Sequence, residues 1–404
     1  MPQSSERPAL KLRRIQDLGV KNKKILVRVD YNVPLKNGKV EDDSRIKETL
    51  PTLNHLLEGG AKLVLISHLG RPKGKAEAKY SLKPAAEVLE KLLGKKIGFA
   101  SDCVGSSAEK AAAALKAGDV LMMENLRFHP GEEANDSDFA KALSKLGDLF
   151  VQDAFGALHR AHASTAGIPK LLKGAIGFLV QKELEFLDRV IGNPNRPFLA
   201  VIGGAKVSDK LGVLVKLLDR VDSLVIGGGM AYTFLAAQGI SIGKSLLEKD
   251  KVQEAQGVVE RAYAKKVECL LPADHLAVRE IRPDAEVIAT QGMAIPPELI
   301  GVDIGPHAIE FFAEEIQKAK TIFWNGPMGI FEIDAFAKGS LAVAQAMAEA
   351  TEKGATTIVG GGDSLAVLSK AGLSGKMSHC STGGGASLEL LEGKILPGLE
   401  ALAS

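Results

Sequence analysis

Short, nearly continuous apolar runs alternate along the chain with longer stretches in which apolar residues recur at helical spacing. KILVRVDYN, KLVLIS and VLMME read as strands buried on both faces, the pattern of a parallel sheet. Strands are expected at residues 24–32, 62–67, 120–124 and 149–153, and again at 198–202, 223–226, 267–272, 321–324 and 356–359. Helical periodicity between them predicts helices at 83–93, 108–116, 138–146, 210–218, 250–265 and 339–352. Strand and helix in alternation predict the α/β class with parallel sheets and crossover helices.

At the carboxyl end of nearly every expected strand the apolar run breaks into glycine with a polar or charged residue: VDYN, ISHLGRP, MENLRF, QDAFG, IGGAK, IGGGM, WNGP and VGGGDS. Ligands of open α/β sheets bind outside the carboxyl ends of the strands, so substrate sites are expected there. Loops are often polar and glycine-rich for no functional reason, but eight in one register exceed that expectation. LVQKELEFLDRVIGNPNRP reads as a helix over residues 179–191, closed by Gly192 and a Pro-rich tract. It divides the chain into residues 1–178, a connecting helix over 179–193, and residues 194–391.

Composition narrows the class. With 46% hydrophobic residues over 404, the chain can bury a large core and is not disordered. It has no apolar run long enough to span a membrane, and MPQSSERPALKLRR lacks the apolar segment of a secretory signal. Cys103, Cys269 and Cys380 are odd in number, far apart and in no metal-ligand spacing, as expected of free thiols in a reducing cytoplasm. The net charge of +2 conceals a split: 29 Lys and Arg against 21 Asp and Glu up to residue 180, and 22 against 28 beyond it. Such asymmetry suggests two parts that handle different partners. The positive balance is modest and aromatic residues are only 5%, which weighs against nucleic acid.

In the first part Arg28, Asp30, Asn32, Arg45, His68, Arg71, Arg127, His159, Arg160 and His162 gather on the strand-end loops. The planar guanidinium forks onto carboxylate and phosphate oxygens, so arginines and histidines from separate loops suit a small polyanion. Taken singly, each also fits a solvated surface or a structural ion pair. His159 and His162 have no acidic third ligand nearby in sequence, which weighs against zinc.

In the second part the anion-binding device is the backbone. Gly203-Gly204, Gly227–Gly229, Gly360–Gly362 and Gly383–Gly385 let main-chain N–H groups approach a phosphate. In GGGDSLAVL and GGAKVSDKLG the glycines precede an expected helix start, which favours phosphate, and Ser208 and Asp209 are candidate caps. Tight turns alone would also use such glycines. A free Asp363 carboxylate beside phosphate would repel it without an intervening cation, so Asp363 is a candidate Mg²⁺ partner. Lys206 and Lys210 would bring positive charge to a transferring phosphoryl group. P-loop, dinucleotide-binding, protein-kinase and nucleophile-elbow motifs are missing from the sequence.

RVDYNVP, SHLGRP, ENLRF, DAFG followed by HRAHAST, GGAKVSDK, GGGMAYTF, WNGPMGIFE, GGGDS and STGGGASLE, spanning Arg28 to Glu389, resemble the successive signature segments of phosphoglycerate kinase in that family's order. Tyr31, where the family commonly has Phe, is a mild departure. The resemblance implies two Rossmann-like lobes facing a central cleft and joined by a helix, with residues 392–404 returning to the N-terminal lobe. It implies reversible phosphate transfer from 1,3-bisphosphoglycerate to MgADP, in line and after lobe closure, by a cytoplasmic monomer without nucleic-acid or membrane partners. By motif, Asp30, Asn32, Arg45, His68, Arg71, Arg127 and Arg160 would hold 3-phosphoglycerate. Lys206, Lys210, Gly228, Gly301, Asn325, Glu332, Gly361, Gly362, Asp363 and Ser364 would hold ADP or ATP, with Asp363 on Mg²⁺. Arg45, Lys206 and the backbone at Gly361 and Gly362 would stabilise the transferring group. Another acyl-phosphate-forming kinase, or a non-catalytic binding protein of the same fold, is also compatible with these residues.

Overall fold

The structure is a computed structural model that describes residues 10–403; the N-terminal extension over residues 1–9 lies outside them. The chain forms two compact units, one running to Glu185 and taking in the residues from Lys394 onward, the other Phe186–Gly393. The boundary falls inside helix Phe178–Gly192.

The first unit is built on six parallel strands in the spatial order Ile97–Ala100, Val120–Met123, Lys62–Ile66, Lys24–Arg28, Leu149–Gln152, Gly174–Ile176. Inner strands such as Val120–Met123 are buried at every position, which is why they read as unbroken apolar runs. The C-terminal residues belong to this unit: Gly398 N donates to Leu158 O at 3.0 Å.

In the second unit the order is Glu268–Leu270, Ser223–Ile226, Phe198–Ile202, Thr321–Asn325, Thr356–Gly360, His379–Ser381, again all parallel. Numbered within the unit this is 3-2-1-4-5-6, the doubly wound dinucleotide-fold order, with its switch point between Phe198–Ile202 and Thr321–Asn325. The first unit departs from that order by one strand, since Val120–Met123 inserts beside Lys62–Ile66.

The expected strands and helices form with ends displaced by a few residues. The first strand stops at Arg28 rather than residue 32, because Asp30 and Asn32 turn their side chains onto neighbouring loops. The helix expected at 108–116 runs Gly105–Ala113. Eight described strands give no reading in the pattern: edge strands Ile97–Ala100, Gly174–Ile176 and His379–Ser381, too short and too poor in apolar residues, the small antiparallel sheet of His275–Val278, Ile288–Ala289 and Ile300–Ile304, and the two-residue pair Leu35–Lys36 and Lys39–Val40.

Candidate active site

In the first unit the loops after strands Lys24–Arg28, Lys62–Ile66, Val120–Met123 and Leu149–Gln152 converge, as the strand-end breaks imply. Arg45 Nη1 donates to Asp30 Oδ2 at 2.6 Å, and His68 Nδ1 lies 3.8 Å from Asp30 Oδ1. Burial alone would push the Asp30 carboxyl up; the guanidinium charges beside it, Arg45 foremost and then Arg28, hold the group well below the usual carboxylate range. Gly70 is gripped from both sides, its N–H donating to Asn32 Oδ1 at 2.9 Å and its carbonyl accepting from Arg127 Nη1 at 2.7 Å. Buried Asn125 staples the same loops, accepting from Leu69 N and Arg127 N and donating to Leu69 O and Tyr80 O. Arg127 is 4% exposed, with Nε 3.2 Å from Glu133, whereas Arg71 is exposed. Arg160 is half-buried and donates from Nε to His159 Nε2 at 3.1 Å.

The histidines of this cluster do not supply its charge. Burial, followed by Arg127, Arg160 and Arg28, pulls the His162 imidazole down to about 4. Burial also lowers His159 and His68, the latter well below its ordinary value. The polyanion pocket expected from arginines and histidines together therefore draws its positive charge from the arginines, with the imidazoles as neutral hydrogen-bonding groups. An acid does stand beside His162: Glu132 Oε1 lies 3.8 Å from its Nδ1, a neighbour that sequence distance conceals. Among the described residues the one group with metal-ligand spacing is Asp102, Cys103 and His129, so Cys103 has ligand-type neighbours that its isolation in sequence hides. The Asp102 carboxylate is already engaged, by Cys103 N at 2.6 Å and His129 Nε2 at 2.7 Å.

In the second unit the site lies at the sheet's switch point. Backbones cross so closely there that a Cβ on Gly228 would sit 2.6 Å from Gly204 N and 2.7 Å from Pro327 O, with φ at +67°. Glycine is thereby required. Beside the crossing lies a slot lined by Gly204, Gly228, Tyr232, Leu246, Ile281, Gly301, Phe331, Glu332 and Asp363. A second slot is lined by Lys210, Asn325, Gly326, Gly361–Ser364, Gly384 and Gly385. Asp363 borders both. The first is largely apolar and suits a base; the second offers main-chain N–H groups at the start of helix Gly362–Ala371, and suits phosphate. Lys210 Nζ donates to Asn325 Oδ1, Asn325 Nδ2 to Gly360 O at 2.8 Å, and Gly326 N to Ser364 Oγ at 2.6 Å. Burial lowers the Lys210 ammonium, opposed by Asp209 and Asp363.

Two expectations fail here. Ser208 and Asp209 do not cap the following helix, which begins at Leu211 without a side-chain cap; Ser208 Oγ instead donates to Glu248 Oε1 at 2.6 Å. That helix is separated from Gly203-Gly204 by six residues, so these glycines act through the strand crossing rather than a helix terminus. Lys206 stands exposed in this intervening segment and lines neither slot. Leu246 and Ile281 join the site unannounced, since isolated apolar residues carry no chemical signal in sequence, and Tyr232 and Phe331 join it from within GGGMAYTF and WNGPMGIFE, where only their glycine and polar neighbours signal chemistry. Gly384 and Gly385 do carry one, because STGGGASLE repeats the glycine pattern.

Beneath the base slot, Asp303 accepts from Ile304 N at 2.9 Å and Gly339 N at 2.8 Å. Burial pushes its carboxyl up to about 7, against those two hydrogen bonds and Lys338. A carboxyl raised above its unfolded value contributes stability that is complete at acid pH and lost as pH rises through about 7. Asp303→Asn, which cannot titrate, is expected to melt below the parent at pH 5, having lost an acceptor, and to close that gap by several degrees at pH 8. Calorimetric melting of both proteins at the two pH values checks this.

A family model described as Phosphoglycerate kinase matches residues 15–394. Among similar proteins, a phosphoglycerate kinase of Elusimicrobium minutum is 56% identical, covering 97% of this chain and 98% of the relative. One from Pelotomaculum thermopropionicum is 52% identical, covering 96% and 98%. The solved structure of phosphoglycerate kinase from Coxiella burnetii superposes with a TM-score of 0.85 at 43% identity, covering 97% of this chain and 100% of the other. That of the Pyrococcus horikoshii enzyme gives 0.86 at 34% identity, covering 97% and 98%.

Proposed function

The chain belongs to the phosphoglycerate kinase family, and from that premise we propose which of its residues serve each substrate. Its reaction is the reversible glycolytic transfer of a phosphoryl group from 1,3-bisphosphoglycerate to ADP, giving 3-phosphoglycerate and ATP. The first unit holds the phosphoglycerate through Arg45, Arg127 and Arg160, with Asp30, Asn32, His68 and Arg71. The second holds the nucleotide, base against Gly228, Gly301 and Glu332, phosphates against Lys210, Asn325 and the Gly361–Ser364 turn. The observation that carries this division is Asp363, which borders both slots of the second unit and so stands where base and phosphate ends of one ligand would meet.

The family's nucleotide substrate comes with Mg²⁺, and the donor set suits it: one exposed carboxylate beside a phosphate slot, since Mg²⁺ takes one or two carboxylates together with phosphate oxygens. Asp363 would hold the ion, which when bound neutralises phosphate charge.

In the ATP-consuming direction a carboxylate oxygen of 3-phosphoglycerate forms its bond to the γ-phosphorus. The bond from that phosphorus to the bridging oxygen breaks, and ADP leaves with the electron pair. A carboxylate is already ionised near pH 7, so no general base is needed. Rate then comes from alignment and charge neutralisation. Arg45 forks onto the equatorial oxygens, the N–H groups at Gly361 and Gly362 add dipoles, and Lys206, exposed on its own segment, reaches in once phosphate is present. The three cysteines, none of them in a disulfide, favour a reducing, cytoplasmic setting, and the working form is taken as a monomer.

Calorimetry on two variants tests the division. Arg127→Ala is expected to weaken 3-phosphoglycerate binding by between about tenfold and a hundredfold and leave MgADP unchanged, and Lys210→Ala to do the reverse. The magnitude is that of one charge-assisted hydrogen bond, roughly 1.5–3 kcal/mol. Loss of both ligands in one folded variant, or of neither, refutes it.

A further inference from the structure

Beneath the arginine cluster of the first unit lies a buried chain of hydrogen bonds that substrate binding does not account for. Glu132 is 0% exposed, Ser164 0% and Arg28 1%. Both oxygens of Glu132 accept from Ser164, one from its N–H at 3.0 Å and one from its hydroxyl at 2.5 Å. A serine hydroxyl has one proton. With that proton given to Glu132, Ser164 Oγ can only accept from Arg28 Nε, 2.9 Å away. Arg28 Nη1 donates to Val29 O, and Nη2 lies 3.0 Å from His68 Nδ1. A guanidinium has donors and no acceptor, so His68 Nδ1 must present its lone pair, and the imidazole proton is left on Nε2.

We infer that Glu132 is a positioning residue: by taking the Ser164 proton it leaves Ser164 Oγ free to accept from Arg28 Nε and so holds the guanidinium in place, and Arg28, which can only donate, keeps His68 as the neutral Nε2–H tautomer. On the reading that His68 contacts phosphoglycerate, this presents the anion with one fixed N–H donor. Glu132 also supplies the buried negative charge beside Arg28, whose guanidinium would otherwise be desolvated with Asp30 as its main compensation.

Glu132→Gln makes the inference testable because the amide has the same shape but only one acceptor. If its oxygen takes the Ser164 N–H, its NH₂ faces Ser164 Oγ, and the serine proton must turn towards Arg28 Nε, where two donors oppose each other. The opposed donors push the guanidinium off Ser164, and His68 loses the Arg28 donor that fixes its tautomer. In ligand-free protein labelled with ¹⁵N-histidine at pH 7, His68 is expected to show the Nε2–H signature, assigned by its loss in His68→Gln. Glu132→Gln should replace this with a mixture, and should raise the KM for 3-phosphoglycerate about tenfold with the KM for MgATP within about twofold. Ser164→Ala should act in the same direction and decides the matter if Glu132→Gln does not fold. A parent protein with the proton on His68 Nδ1, or a folded variant with an unchanged His68 spectrum, overturns the inference. A changed spectrum with an unchanged KM upholds the chain and removes His68 from the substrate contacts instead, so the two readings fail separately.

Discussion

Arg45→Ala is expected to lower turnover in both directions by about 10³-fold, the scale on which loss of one charged stabiliser of a transferring phosphoryl group is felt, while the KM for MgATP stays within about twofold. The side chain's position is the reason. Arg45 sits in the short helix Ser44–Lys47, its side chain about one-third exposed and tied to the lobe by the 2.6 Å bond to Asp30. The bond uses one nitrogen of a planar fork and leaves others to be directed at a ligand. Removing the guanidinium also removes the main partner that keeps the buried Asp30 ionised, so some loss of phosphoglycerate affinity accompanies the loss of rate. Arg45→Lys separates the two effects: an ammonium still compensates Asp30 but cannot fork, so phosphoglycerate binding should recover more than turnover. Steady-state kinetics with both substrates varied, on both variants, decides it. An Arg45→Ala enzyme whose defect lies wholly in KM would place Arg45 in ground-state binding alone.

Asp363→Ala is expected to weaken MgADP binding by between about tenfold and a hundredfold, the worth of a charged contact of roughly 1.5–3 kcal/mol, and to leave metal-free ADP binding unchanged or tighter. The sign of the second effect separates a metal partner from a structural residue. Asp363 lies in the first turn of helix Gly362–Ala371, on the border of both slots, where the helix terminus and Lys210 favour anions. A carboxylate there opposes phosphate unless a cation comes between, so its removal should help the bare nucleotide and harm the metal complex. Titration calorimetry with and without Mg²⁺ reads both values. Equal loss for ADP and MgADP would make Asp363 a structural part of the turn.

The residues that bear charge or lack a side chain are legible in the sequence. The GGGDS glycines and Asp363, Arg45, Arg127 and Lys210 stand out because burying or crowding such groups is costly without a purpose, and the strand-end breaks place them at one end of a parallel sheet. Residue type reaches its limit at Lys206: a lysine four residues from Lys210 looks its equal in sequence, yet Lys210 is half-buried against Asn325 and Lys206 is exposed. The apolar wall of Tyr232, Leu246, Ile281 and Phe331 is illegible for the opposite reason, since its members resemble ordinary core residues and meet only through the fold.

The sequence by itself determined the alternation of strand and helix, the loops at which chemistry gathers, and the family, because each depends on local periodicity or on residue type at fixed spacing. Only the tertiary structure decided which strands are neighbours, that Glu132 meets Arg28 through Ser164, which lies 32 residues along the chain from the glutamate and 136 from the arginine, and that burial pulls His68 and His162 below their ordinary values. The physical reason is that protonation, tautomer and hydrogen-bond direction depend on burial and on partners brought from distant strands. Neither quantity is carried by any stretch of sequence read alone.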